Sequence, residues 1–295
     1  MLSIIITTYK ETKTLEQTLG VILAERLDEP KEILVVAPDE ETKNLIQTKF
    51  ANYPEVTFIQ DAGRGKPSAL NLVFEIAQGE ILILTDGDVI LEKDSLSKLV
   101  QPFENKTIGA VCGRPISISP KNTMLGFWSH FLTYAAHRLR LKKNLTGDYL
   151  DCSGYLYAIR SNLVKQIPEN VLSDDIYISQ IIWQAGYKIK YVPEAKVDVK
   201  YPTTFKDWIL QKRRSAGGHA QKFANTKIDS QMRSFTKEAI FGIKLFFEYP
   251  QNFKEFVWLK LLFLARIYLW LLIFADKKII HKKYGPGWER VESSK

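Results

Sequence analysis

The sequence predicts an α/β domain built on a mainly parallel sheet flanked by helices, with an apolar helical extension at its C-terminal end. Two observations carry the fold: four short, almost continuously apolar runs in the first hundred residues, and the helix-length stretches that separate them. The runs are Ser3 to Thr8, Ile33 to Ala37, Val56 to Gln60 and Glu80 to Thr85, and the helical stretches cover 12–27, 40–50 and 66–78. Strands that are apolar on both sides need helices on both sides, and a helix-length crossover returns the chain parallel to its predecessor. A third observation, the strongly apolar composition beyond about residue 235, divides the 295 residues into a main domain, 1–235, and an extension, 236–295. That length suits one α/β core with an appendage.

After Gly109 to Arg114 the pattern becomes less regular. It passes through an aromatic segment from Leu125 to Tyr134 and a basic run from His137 to Lys143, then resumes with a helix over Asp174 to Ala185 and a strand over Tyr187 to Val192. The formal charge of +8 favours anionic partners such as nucleotide phosphates, nucleic acid or acidic lipid head groups. No zinc spacing, recognition motif or interleaved aromatic pattern supports nucleic-acid binding, so no such partner is expected. Cys112 and Cys152 are the two cysteines and fit neither a metal site nor a disulfide framework, which favours a reducing compartment. The first strand begins at Met1 without a basic leader, so the catalytic part is expected to stay in the cytosol.

Ligands of such sheets bind at the carboxyl ends of the strands. Thr8-Tyr9-Lys10-Glu11 follows the first strand, Asp39 the second, and Asp86-Gly87-Asp88 the fourth. Two carboxylates one residue apart suit a hard divalent cation shared with substrate phosphates, although the same residues also make a plain solvated turn. Gly63 to Asn71 is a glycine-punctuated basic loop entering a helix, where free amides and the Lys66 ammonium favour a phosphate; the simpler reading is a helix start with Pro67 in its first turn. Asp174 and Asp175 open a helix, where capping is the structural alternative to catalysis for one of the pair. Gln211-Lys212-Arg213-Arg214-Ser215 reads either as a basic solvated helix face or as a charge-stabilising element.

Taken in order, Ile4 to Glu11, Gly65 to Asn71, Asp86-Gly87-Asp88, Ser173-Asp174-Asp175 and Gln211 to Arg214 resemble the family 2 glycosyltransferases of the GT-A fold, over roughly residues 1–220. The resemblance implies that Thr8, Tyr9 and Glu11 line a nucleotide pocket, Asp39 reads the base and Lys66 lies near the phosphates. Asp86 would face the ribose and Asp88 the metal, the two forming the candidate site for Mg2+ or Mn2+. Asp175 would be the base that takes the acceptor proton, with Asp174 orienting the acceptor. Gln211 would contact one end of the site, and Arg214 would stabilise the departing diphosphate. The implied reaction moves a sugar, expected from a UDP-sugar, to an acceptor hydroxyl or lipid phosphate with inversion, in cell-envelope polysaccharide or glycolipid synthesis. Three positions depart from the family: Val36-Ala37-Pro38-Asp39 lacks an acidic residue directly after the second strand, Lys10 stands where Asn is usual, and Ser215 replaces Trp. An inactive scaffold and a nucleotidyltransferase on a related sheet are the competing readings.

Residues 256–275 are apolar except for Lys260 and Arg266, long enough to cross a hydrocarbon core of about 30 Å. A single span from a cytosolic domain would place the basic run of 277–283 outside, against the positive-inside tendency, and Ile240 to Phe247 is too short for a second span. Helices lying in the membrane interface are therefore expected, with the catalytic domain on the cytoplasmic face of the cell membrane and a carbohydrate or lipid-linked acceptor. A helical cap over the sheet is the soluble alternative.

Overall fold

The computed structural model describes residues 1–220, 245–275 and Ser293, with side chains up to Ser215 in the first segment. Eight strands form one sheet in the order β3-β2-β1-β4-β7-β6-β8-β5. β1 (Leu2–Thr7), β2 (Lys31–Ala37), β3 (Val56–Gln60) and β4 (Ile81–Asp86) make the parallel half, in the register Ile4 to Ile33 and Ile4 to Ile83. These are the four runs legible in the sequence.

The other half is mixed. β7 (Leu156–Arg160) runs antiparallel to both β4 and β6 (Ile108–Ser117), while β8 (Lys188–Val199) lies parallel to β6 and pairs antiparallel with the short β5 (Val89–Leu91). Because β7 reverses between them, β4 and β6 point the same way. Their carboxyl ends share one edge, and the site is built there.

α1 (Thr12–Ala24), α2 (Glu40–Lys49) and α4 (Ser95–Val100) cover one face through Leu15, Leu19, Leu45 and Leu96. α3 (Lys66–Ile76) and α6 (Asp174–Gln184) cover the other through Leu70, Val73, Ile178 and Ile182. β1, β2 and β4 therefore bury both faces, which explains their nearly unbroken apolar sequences, while β3 at the sheet edge stays partly exposed.

The aromatic and basic segments form one helix, α5 (Met124–Thr146), capped by Thr123 and ended by Gly147 at φ +70°. Its first turns join α7 (Phe205–Ala220) and α8 (Phe253–Ala275) in a third apolar cluster of Phe127, Trp128, Phe131, Trp208, Leu259 and Leu262. Trp128 is its hub, stacked edge-on to Trp208 at 5.3 Å and donating from Nε1 to the Trp258 carbonyl at 2.7 Å. The basic run of 277–283 and most of 240–247 lie outside the described residues. Trp128→Ala should lower stability by about 3–5 kcal/mol, read from urea unfolding, because loss of the buried indole leaves a cavity at the centre of this cluster.

Candidate functional site

Three loops at the shared edge are bound to one another before any ligand arrives. The Thr8 amide donates to the Val36 carbonyl at 3.0 Å, and the Gly87 amide to the Thr7 carbonyl at 2.9 Å. A side chain at Gly87 would collide with Thr8, so glycine is needed there for the turn to lie against β1. Lys10 adopts φ +57°, the left-handed region favoured by Gly and Asn, and its amide donates to Asp39 Oδ2 at 3.0 Å. Asp39 Oδ1 caps α2 by accepting from the Thr42 amide and hydroxyl, both at 2.9 Å. Its carboxylate thus serves as a clasp between two loops. Glu11 stands at the N-cap position of α1, and the half-buried Tyr9 lies under the Lys10 ammonium at 5.6 Å.

Lys66 opens α3, with Gly65 before it at φ +107° and Pro67 in its first turn. The side chain is buried, and its Nζ lies 2.7 Å from Asp86 Oδ1 and 3.4 Å from Asp174 Oδ2. Burial opposes the ammonium, but Asp174 and Asp86 outweigh it and hold the group charged, above the ordinary lysine range. Asp86 Oδ1 also accepts from Thr7 Oγ1 at 3.2 Å. Asn71, further along α3, brackets the Ile167 backbone through two 2.8 Å bonds.

Asp88 differs from Asp86. Its Oδ1 is buried and accepts no hydrogen bond, and the same is true of Thr8 Oγ1 and Gln211 Oε1. Burial and then Asp86 push the Asp88 carboxyl up to about 6, against the pull of Lys66 and Arg214. A buried carboxylate oxygen without a partner is costly unless something cationic meets it. No three His, Cys, Asp or Glu side chains cluster as a complete metal cage among the described residues. Two carboxylates with one open oxygen instead fit a divalent ion that takes its remaining ligands from water and substrate phosphates, as Mg2+ or Mn2+ does.

Ser173 occupies the N-cap of α6, leaving Asp174 and Asp175 in the first turn with their side chains directed inward. Tyr157 on β7 donates to Asp174 Oδ2 at 3.2 Å. Asp175 Oδ2 accepts from the Gly154 amide at 2.8 Å, and Oδ1 from the Ile176 amide at 2.9 Å. Burial, then the neighbouring Asp174 charge, push Asp175 up to about 7, with Lys66 pulling the other way. Tyr157 and Gly154 escaped the sequence reading, although Ser153-Gly154 before an apolar run is a turn signal. Arg214 on α7 acts on Asp88 electrostatically, so α7 faces the Asp86–Asp88 turn. The side chain of His219 lies outside the described residues.

Residues 1–218 match the family model described as glycosyltransferase like family 2. The chain belongs to this family. Among curated family relatives, it is 25% identical over 228 residues to the poly-beta-1,6-N-acetyl-D-glucosamine synthase of Staphylococcus epidermidis, covering 74% of this chain and 54% of that protein. The enzyme of the same name from Staphylococcus aureus strain COL is 28% identical over 220 residues, covering 72% and 53%. The chain thus spans about half the length of the curated relatives it matches. Among solved structures, a mannosyltransferase from Pyrobaculum calidifontis in complex with GDP-Man and Mn2+ superposes with a TM-score of 0.61 at 19% identity, over 96% of this chain and 81% of that one. S. aureus TarS gives 0.51 at 15% identity, over 86% and 44%. At these identities the likeness establishes the GT-A fold.

Lys66→Met should destabilise the family 2 domain by about 3–5 kcal/mol, because it strands two partly buried carboxylates. The double variant Lys66→Met/Asp174→Asn should recover part of that loss in urea unfolding, since it removes one of the stranded charges.

Proposed function

We propose that the chain transfers a glycosyl group from a nucleotide sugar, with a UDP-sugar as donor, to an acceptor hydroxyl or lipid phosphate, with divalent metal and inversion at the anomeric carbon. The observation that carries this reading is the Lys66 bridge, which joins the donor-side Asp86 to the acid pair of α6 at 2.7 and 3.4 Å. Carboxylates from β4 and α6 thereby gather around one cleft. Thr8, Tyr9 and Glu11 border the nucleotide, with Asp39 fixing the edge of its pocket. A metal held by Asp88 with Asp86 would neutralise the departing diphosphate.

Arg214 approaches the same turn from α7 and stabilises the leaving group's charge, while Gln211, with its buried open oxygen, accepts a hydrogen bond from substrate. Asp175 takes the proton of the acceptor hydroxyl. The Gly154 and Ile176 amides fix its orientation, and burial gives it the affinity for a proton that a base needs. One base facing the leaving group across the anomeric carbon supports inversion. The mannosyltransferase neighbour, in complex with GDP-Man and Mn2+, supports a nucleotide-sugar donor and a divalent metal.

The assembly has two parts, a catalytic domain over 1–235 and a membrane-association region over 236–295. α8 packs through Leu259, Leu262, Ala265, Leu269 and Ile273, while Leu264, Leu271 and Phe274 on its other side are 61%, 62% and 59% exposed. A helix packed along one face and bare along the other suits the headgroup boundary of the cytoplasmic leaflet better than an isolated span. Lys254 and Lys260 fold over Trp258 and Phe256 at 4.5 and 4.7 Å, in the manner of interfacial lysines.

Asp175→Asn should lower kcat about 10²- to 10⁴-fold while nucleotide affinity, measured by calorimetry with Mg2+, is retained. In the unaltered enzyme the base must be ionised, so kcat should rise with pH through about 7 and level off above it. Loss of nucleotide binding in the absence of metal is expected in the same titration. Leu264→Asp/Leu271→Asp should release the protein from anionic vesicles in a flotation assay, whereas a soluble helical cap would leave flotation unchanged.

A further inference from the structure

The loop that precedes β7 meets the Asp175 carboxylate, and it is itself fastened to α6. Three consecutive amides of this loop end on side chains rather than on backbone carbonyls. The Gly154 amide donates to Asp175 Oδ2 at 2.8 Å, the Ser153 amide to Cys112 Sγ on β6 at 3.2 Å, and the Cys152 amide to Ser179 Oγ at 2.9 Å. Ser179 lies one turn beyond Asp175 on α6, and its hydroxyl donates back to the Asp175 carbonyl at 2.6 Å. Residues four apart share a helix face and are separated by about 6 Å along the axis. Two residues of extended chain cover about 6.6 Å, so the strip from Cys152 to Gly154 matches the step from Ser179 to Asp175. The fit is close at Gly154, where a Cβ would stand 3.3 Å from Asp175 Oδ2.

Ser179 is fully buried, and its neighbours Ile178 and Ile182 pack into the sheet. A hydroxyl inside such a face is costly unless it is hydrogen-bonded, and both of its bonds here go to the turn and the loop that carry the base. Alanine would fill the same place without that cost. The charged groups facing Asp175 are Asp174 beside it, Lys66 from α3 and Asp151 from the loop. The phenols of Tyr149 and Tyr157 and the thiols of Cys112 and Cys152 complete its surroundings. Ser179→Ala keeps every one of these groups and removes the tether alone.

We propose that Ser179 is a positioning residue for the base: by tying the Cys152 amide to the first turn of α6, it holds the Gly154 amide against the Asp175 carboxylate. The inference rests on the glycosyl-transfer reading, in which Asp175 takes the acceptor proton, and deepens it by naming what aims that group. A carboxylate that loses an amide donor holds its proton more tightly, so release of the loop moves the titration of Asp175 to higher pH.

The full chain, carrying aspartate labelled with carbon-13 at its carboxyl, is titrated by NMR, and Asp175→Asn assigns the signal. From a parent midpoint of about 7, Ser179→Ala should move the Asp175 midpoint upward by about half a pH unit or more. Ser179→Thr keeps a hydroxyl that can bond back along the helix, and should stay closer to the parent. UDP release from UDP-glucose and UDP-N-acetylglucosamine with Mg2+ supplies the second readout. There Ser179→Ala should lower kcat about 10- to 100-fold and displace the rising limb of its pH profile in the same direction, with UDP affinity within about twofold of the parent. Gly154→Ala acts on the same contact from the loop side and should produce the same pair of changes. The double variant should lose little more than the larger single, because both substitutions break one contact. A parent-like Asp175 midpoint in Ser179→Ala, or losses that multiply in the double variant, overturns the positioning role. Unchanged kcat in Asp175→Asn overturns the transfer reading instead, and the NMR midpoint still decides the role of Ser179.

Discussion

The site is organised by one buried ammonium. Lys66 stands between Asp86 and Asp174, two carboxylates that belong to elements nearly ninety residues apart in sequence. Without a cation between them, the turn after β4 and the first turn of α6 would carry four acids toward one cleft and repel. With it, Asp86 and Asp174 are neutralised in pairing, and the other member of each pair, Asp88 and Asp175, is left proton-affine and free for chemistry. A single positive charge thus divides each acidic pair into one member paired with Lys66 and one member that is not.

The sheet follows from the same economy of placement. β7 turns against β4 and β6, so Tyr157 and Gly154 can reach back under α6 and fix both acids. α7 reaches the opposite side of the cleft. Trp208 anchors it in the aromatic cluster shared with α5 and α8, and Arg214 further along acts on the Asp86–Asp88 turn. α7 is therefore seated on the same apolar layer as α5 and α8.

Much of this was legible in the residues. β1, β2 and β4 announce themselves because burial on both faces leaves no room for polar alternation, and Asp86-Gly87-Asp88 announces itself because it follows one of them. The second half of the sheet was harder. β7 and β5 are short, five and three residues, and an antiparallel strand inserted between parallel ones has no periodicity of its own. Spacing could place Lys66 near the site but not choose between a phosphate and two acids as its partner, because that depends on the distance between loops. Nor could it show that Asp39 caps α2 and clasps Lys10, since an N-cap and a ligand-binding aspartate look alike in one dimension. The family resemblance supplied order where physics supplied only types of residue.

The contact of Gly87 with Thr8 has a consequence for how a nucleotide is received. Since the loops after β1, β2 and β4 are stitched together by their own amides, there is no hinge along that border, and the floor of the cleft keeps its shape when empty. On the proposed function, a nucleotide would meet a preset floor and lose little of its binding energy to ordering it. Any adjustment to the group being transferred would then fall to side chains outside these three loops.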